Sequence, residues 1–522
     1  MEFTAASPSP LFSSAAILAA ALLLSIFLLL RRRRRFPPLP PGPTGIPLLG
    51  FLPFLSPDLH THFASLALSY GPLMSLRLGS KLAVVVSTPA VARAVLKDQD
   101  PVFSNRDVPA AGRVLAYGGA DIAWNPLGDT WRMLRRVCVR EVLGPASLDA
   151  VYHLRRGEVR STVAHVFAES GNPVDLGAQM FLTVMNVITS TLWGKTVEPG
   201  EERSKIGKEF QELVAEITEL LGTPNLSDFF PFLERFDLQK IGKKMEVLKE
   251  RFDVMFAEII EKRKRKKKKK GEEEEEEEEE EKDFLEVMLK MEKGGGGGDS
   301  KTPFTMTHVK ALLMDMVVGG TETTSNTMEW AMAEMLQKPE ILRRVQAELD
   351  QVVGKDHIVE ESHTPKLHYL NLVIKEVLRL HPAVPLLIPH CPSSPTTING
   401  YYIPKGSRVF VNVWAIQRDP SIWKDPLEFK PERFLEEGKR WDYSGNDLDY
   451  FPFGSGRRIC AGISMAEKMV SYSLASLLHS FDWKLQEGKE HDLSERFGIV
   501  LKKAKPLVAI PTPRLSKPEL YC

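Results

Sequence analysis

Cys460 is the residue with the most distinctive chemical surroundings in this chain of 522 residues. It closes the run Phe453-Gly454-Ser455-Gly456-Arg457-Arg458-Ile459-Cys460-Ala461-Gly462, just ahead of a helical pattern over Ser464–Phe481. Glycines here let the backbone pass close to a flat ligand, and the N-terminus of the following helix offers positive charge to a thiolate. Arg458, two residues away, is placed to neutralise a carboxylate on the same ligand, and a bound metal would complete deprotonation of the thiol. A buried structural cysteine in a glycine-rich turn is the other reading of this loop. The remaining cysteines, Cys138, Cys391 and Cys522, have neither metal-knuckle nor redox spacing and make no disulfide framework, which suits a reducing compartment.

Three further constellations carry potential chemistry. Gly319-Gly320-Thr321-Glu322-Thr323-Thr324 falls inside a helical pattern over Val309–Gln337. Glycine in mid-helix costs up to about 1 kcal/mol, and threonine hydroxyls bond back to carbonyls one turn earlier. Such a weak spot serves either a close helix–helix contact or a ligand. Trp131 and Arg135 stand i, i+4, so an indole N–H and a guanidinium point the same way and can hold one carboxylate; an exposed aromatic–cation pair is the alternative. Glu376 and Arg379, at i, i+3, share a helix face, a spacing that by itself usually marks a surface ion pair.

The elements that must position these residues are mostly helical, with periodicity over Val151–Leu221, Val309–Gln337, Pro339–Val353, Leu370–Leu380 and Ser464–Phe481. Leu73–Ser87 reads as a hairpin around Gly79–Ser80, and Thr397–Val413 as a second strand-rich patch turning at Asn399–Gly400. The fold class is therefore mainly α with small β-sheets.

Ahead of this domain, residues 11–30 form an apolar segment long enough as a helix to cross the hydrocarbon core. Residues 1–10 hold no basic residue, which argues against a cleaved signal peptide and leaves them luminal. Arg31–Arg35 act as a stop signal that keeps the following chain cytosolic, and the Pro-rich stretch within 31–50 reads as a stiff hinge. The catalytic domain is expected over 51–522. Within it, 262–300 reads as a low-complexity insertion of variable length: nine basic residues, ten glutamates and five glycines succeed one another. Basic and acidic residues balance at 68 each, so no net field favours nucleic acid.

The cysteine loop matches, at every fixed position, the Phe-x-x-Gly-x-Arg-x-Cys-x-Gly motif of the cytochrome P450 family, and the chain resembles that family from the anchor to about Lys505. The hinge and the wording Glu329-Trp330-Ala331-Met332-Ala333-Glu334 resemble plant endoplasmic-reticulum members, closest in flavour to terpenoid and flavonoid hydroxylases. The resemblance implies the P450 fold behind a single N-terminal transmembrane helix, with haem b as cofactor. Cys460 would be its axial iron ligand, and Arg458, Trp131, Arg135 and His390 would be partners of its propionates, with Phe453 in the cysteine loop. It implies proton delivery by Thr323 and Glu322 beside the iron, and a buried structural triad of Glu376, Arg379 and the Arg433 of Pro431-Glu432-Arg433-Phe434. Met316, Gly319, Ala383, Val384 and Val500 would line the substrate pocket.

No Gly-x-Gly-x-x-Gly follows a strand, so electrons must come from outside, from a membrane-bound NADPH-dependent P450 reductase. The expected reaction is insertion of one oxygen atom from O2 into a C–H bond of a small apolar secondary metabolite, with terpenoids ahead of flavonoids and phenylpropanoids. The rival readings are a thiolate-haem isomerase or dehydratase acting on peroxides, against which Glu322–Thr323 argues, and a catalytically silent haem-binding membrane protein. Arg132, Arg136 and Arg140 recur at i, i+4, i+8 beside the Trp131–Arg135 face, as a surface for an acidic reductase or simply a solvated basic face.

Overall fold

The computed structural model describes residues 37–194, 201–270, 283–294, 302–435, 441–486, 488 and 491–522. The anchor at 11–30 and the arginine run at 31–35 lie outside the described residues, as does the glutamate run. Among the described residues no helix is long and apolar enough to cross a membrane.

The first expected hairpin forms as β1 (Leu73–Leu78) and β2 (Lys81–Val86), antiparallel with Leu78 opposite Lys81. Gly79 turns it at φ +59°, in the left-handed region where glycine carries no Cβ penalty. Further strands are β3 (Asn105–Arg106), β4 (His390–Cys391), β5 (Thr396–Ile398), β6 (Tyr401–Ile403) and β7 (Arg408–Val411). Asn399 and Gly400, at φ +48° and +81°, make the tight turn expected between β5 and β6. The main sheet runs β1-β2-β7-β4-β3. Its β2–β7 pair is parallel, so the chain between them must leave the sheet and return, and the helical body is that excursion.

The helices that position the site are α1 (Asp129–Arg136), α2 (Tyr152–Ala168), α3 (Leu176–Trp193), α4 (Glu201–Gly222), α5 (Ile241–Lys270), α6 (Phe284–Lys293), α7 (Met306–Gln337), α8 (Pro339–Val352), α9 (His368–Leu380) and α10 (Ile463–Ser480). The periodic stretch Val151–Leu221 is thus three helices and not one. Gly171, at φ +84°, and Pro173 end the first, and the Asp175 carboxylate caps the next by accepting from the Ala178 N–H at 2.9 Å. The α1 helix continues at Val137–Val142 as a π-helical turn.

α7 is the central element. Thr305 and His308 form a capping box at its start, and Pro339 follows its end. Both flanks are buried in one large apolar core shared with α3, α9 and α10.

The segment 262–300 is not one low-complexity loop. Lys262–Lys270 are the last turns of α5, and α6 buries Phe284, Leu285, Met288 and Leu289 behind an Asp283 cap. Composition masked this short amphipathic helix, because charged and glycine runs flank it on both sides.

Candidate active site

A cavity of about 640 Å³ lies between α7, α1, the cysteine loop and β4. Its size suits a small-molecule site, and its wall is predominantly apolar. Cys460, Arg458, Phe453, Trp131, Arg135, His390, Thr323, Met316, Gly319, Ala383, Val384 and Val500 all contribute to that wall. Residues spread over 370 positions of chain are therefore brought to one space.

In the cysteine loop, Gly454 and Gly456 adopt φ +75° and +69°. A Cβ on Gly456 would lie 2.4 Å from the Leu96 carbonyl, so the close approach there is to a neighbouring backbone and not to a ligand. The Arg457 guanidinium pairs with Asp100 at 3.0 Å and ties the loop to the sheet side. Cys460 lies just before α10, and the Gly462 N–H donates to its Sγ at 3.3 Å. The sulfur's exposure is to the cavity. Burial holds its pKa above the usual thiol value, against the opposing effects of the Gly462 N–H and the Arg135 charge.

Around the same cavity the cations cluster. Arg458 stacks over the Trp131 ring at 4.6 Å and donates to the carbonyls of Ser104 (2.7 Å), Ile122 (3.1 Å) and Asn125 (2.5 Å). The Trp131 indole N–H donates to the same Ile122 carbonyl at 3.2 Å. Burial pulls the Arg458 pKa down to about 10, with Asp121 opposing and Arg135 adding to the effect.

Arg106, on β3, was not legible as a site residue. It lines the cavity, donates to the Ile388 carbonyl at 2.6 Å and keeps a buried Nε with no hydrogen-bond partner. Burial and the neighbouring Arg458 charge bring its pKa to about 9. His390 is buried in β4 with Nδ1 at 2.9 Å from the Phe103 carbonyl, and burial, Arg106 and Arg458 hold it neutral. Half-buried cations that depress one another, one with an orphaned N–H, suit an anionic ligand. Haem b fits this donor set. A thiol stands on an apolar wall, and the guanidinium groups of Arg106, Arg135 and Arg458 have N–H groups for its two carboxylates, while the Trp131 and His390 N–H groups are taken by the Ile122 and Phe103 carbonyls.

On α7 the threonine stretch divides its tasks. Gly320 packs against α3, where a Cβ would meet the Ile188 Cδ1 at 2.8 Å, whereas Gly319 faces open space in the cavity. Both readings of this weak spot therefore apply, each to one glycine. The Thr323 hydroxyl lies on the cavity wall and donates to the Gly319 carbonyl at 2.7 Å. Glu322 does not join it. One residue round the helix, its buried carboxylate receives the Thr218 hydroxyl at 2.7 Å and pairs with Lys502 at 2.5 Å. Lys502 and Thr218 had no sequence signal, since they come from distant elements.

The Glu376–Arg379 pair is not on the surface. Both side chains are fully buried, with Arg379 Nε 2.8 Å from Glu376 Oε2, and Arg433 Nε lies 2.9 Å from Oε1 of the same carboxylate. Arg379 also donates to the carbonyls of Gln417 and Pro426, each at 2.8 Å, which pins the segment after β7 onto α9.

Residues 40–510 match the family model described as cytochrome P450. A geraniol 8-hydroxylase from Swertia mussotii is 41% identical over 480 residues, covering 91% of this chain and 94% of that protein. A flavonoid 3'-monooxygenase from Petunia hybrida is 39% identical over 485 residues, covering 92% and 93%. A solved zebra fish cytochrome P450 structure with progesterone superposes with a TM-score of 0.74 at 30% identity, covering 88% of this chain and all of that one. The chain belongs to the cytochrome P450 family, as a monooxygenase with haem b as cofactor and electrons supplied from NADPH through a reductase.

Proposed function

We propose that this protein hydroxylates a small, largely apolar secondary metabolite, a terpenoid first and a flavonoid or other phenylpropanoid next. The relatives named for geraniol and flavonoids support that order. It works at the endoplasmic-reticulum membrane, held by residues 11–30 with its catalytic domain in the cytosol, and its donor is NADPH–cytochrome P450 reductase. The reading rests above all on one observation: a single apolar cavity presents the Cys460 thiol and the Thr323 hydroxyl together with a cluster of half-buried cations.

Bound haem b supplies O2 reduction and oxygen insertion, so that one oxygen atom enters the C–H bond and the other leaves as water. The chain does the rest. Cys460 would ligate the iron as thiolate, and Arg106, Arg135 and Arg458 would hold the carboxylates, with Trp131 and His390 packed beside them. The apolar wall excludes bulk water, which suppresses proton leakage. Thr323 offers one donor and two acceptor sites, so it can hold a water in the cavity once its bond to Gly319 is released. Glu322 is turned away to Lys502 and Thr218, and would relay a proton to Thr323 only after swinging toward the cavity.

Cys460→Ser should abolish the thiolate signature in the carbon-monoxide difference spectrum and all NADPH-driven product formed with reductase. Turnover with a native spectrum in that variant would overturn the assignment.

A further inference from the structure

A charged cluster that takes no part in lining the cavity touches two segments that do. Glu495–Arg496 (β8) and Lys502–Lys503 (β9) pair antiparallel as a short hairpin. Ile499 and Val500, between its strands, line the cavity, as do Ala383 and Val384 in the segment after α9. The Leu501 N–H donates to the Ala383 carbonyl at 2.8 Å, so the two segments make one stretch of wall. The end of α4 presses on the same stretch, where a Cβ on Gly222 would come within 2.7 Å of the Ile499 nitrogen. Whatever fixes the hairpin therefore fixes this wall.

The base of the hairpin is held by ions. Glu495 Oε1 lies 3.1 Å from Nδ1 of His381, the residue that follows α9. The other ring nitrogen, Nε2, lies 2.7 Å from Oε1 of Glu334, near the end of α7. His381 and Glu334 are buried, and the Trp330 ring stacks on the imidazole at 3.8 Å, with the Lys503 ammonium 4.8 Å from the same indole. Arg418 Nη2 is 3.4 Å from Glu495 Oε1, and His60 Nε2 is 3.4 Å from Oε2, to which the Trp414 indole donates at 3.2 Å. A neutral imidazole has one N–H and one lone pair, so between two carboxylates it would set the lone pair against an anionic oxygen. Only the imidazolium donates at both nitrogens, and with Arg418 it offsets the two carboxylates charge for charge. Burial opposes ionisation of Glu495, but His381, His60 and Arg418 together hold its carboxyl below the usual carboxylate range.

Resting on the oxygenase reading of this cavity, we infer that His381 is a positioning residue: as an imidazolium between Glu334 and Glu495 it fixes the β8–β9 hairpin, so that Ile499 and Val500 close on the substrate. The second ring proton makes this clamp. It is therefore complete at low pH and lost as pH rises through deprotonation of the ring, because the neutral ring leaves one carboxylate facing a lone pair. A loosened wall binds substrate less tightly and admits water to the cavity. The effect reaches further, since Lys502 on the same hairpin pairs with Glu322.

The test reads the hairpin directly, by hydrogen–deuterium exchange of a peptide spanning 495–503 in the full-length holoenzyme. Rates are compared between about pH 6 and about pH 10 after correction for the intrinsic pH dependence of exchange. In wild type the hairpin should exchange about threefold to tenfold faster at the high end, with peptides from α3 unchanged. Limonene, an uncharged monoterpene, should bind about threefold less tightly there by spectral titration. In Glu495→Gln the new amide N–H can donate to Nδ1 of a neutral ring whose Nε2–H still donates to Glu334, so the hairpin should stay protected across the range. His381→Leu should leave it loose at every pH. A role in packing alone predicts the wild-type pH profile in Glu495→Gln, and that result would overturn the proposal. So would a pH-independent hairpin in wild type, which no folding defect of a variant can cause. Limonene affinity that does not follow the hairpin would overturn the positioning role. A wild type without the reduced carbon-monoxide thiolate signature would instead overturn the oxygenase reading itself.

Discussion

Two groups of arginines, one buried behind the cysteine loop and one half-buried on the cavity wall, differ in whether the chain completes them. Behind the cysteine loop, Arg379 and Arg433 both face the Glu376 carboxylate at 2.8–2.9 Å, and backbone carbonyls take their remaining donors. Around the cavity, Arg106, Arg135 and Arg458 make hydrogen bonds to backbone carbonyls alone, and among the described residues none has a carboxylate within ion-pair distance. The first group is a finished joint. The second has no such ion-pair partner among the described residues and faces the cavity. The balance of charge, together with exposure to the cavity, therefore separates a structural ion cluster from one that faces a ligand space.

The largest effect is expected from breaking the finished joint. Arg379→Ala leaves Glu376 buried with only Arg433 and the Lys430 N–H, and should destabilise the fold by about 3–5 kcal/mol. Denaturant unfolding checks this, and the loss should be equal with and without haem. Arg106→Leu should do the opposite. It removes a half-buried cation whose Nε–H is orphaned, so the stability of the haem-free protein should change by less than about 1 kcal/mol or rise. Haem transfer to an acceptor globin should nonetheless speed up severalfold.

Thr323→Ala removes a hydroxyl from the cavity wall without touching either arginine group. Spectral binding of substrate should survive, while the ratio of product formed to NADPH consumed falls severalfold and hydrogen peroxide rises. An unaltered ratio would restrict Thr323 to helix packing. The smallest effect is expected at the surface. Arg132, Arg136 and Arg140 are exposed, and Arg132 already pairs with Asp129 at 2.6 Å. Reversing all three charges should slow reduction by the reductase at low salt and flatten its salt dependence, and stopped-flow reduction measures both.

Much of the cavity wall of this protein was legible in its sequence. Cys460 with Arg458, Trp131 with Arg135, and Thr323 with Gly319 are each carried by a short motif, and short motifs survive in one dimension. The hairpin turns at Gly79 and Asn399–Gly400 were legible for the same reason, since turn chemistry is local.

Other features were decided only when distant segments met. Arg106 lies on a two-residue strand with no pattern, and its place on the cavity wall follows from β3 pairing with β4. Glu322 and Thr323 are neighbours in sequence, yet the helix turns them to different environments, and only Lys502 and Thr218, from remote elements, show where the carboxylate goes. The Glu376–Arg379 spacing is that of a trivial surface pair, and burial by the segment bearing Arg433 makes it a core joint. Sequence alone determined which groups were available for chemistry, because residue type and short-range spacing are properties of the chain. Tertiary structure decided which of them share a low-dielectric space, because burial and the balance of charge are properties of packing.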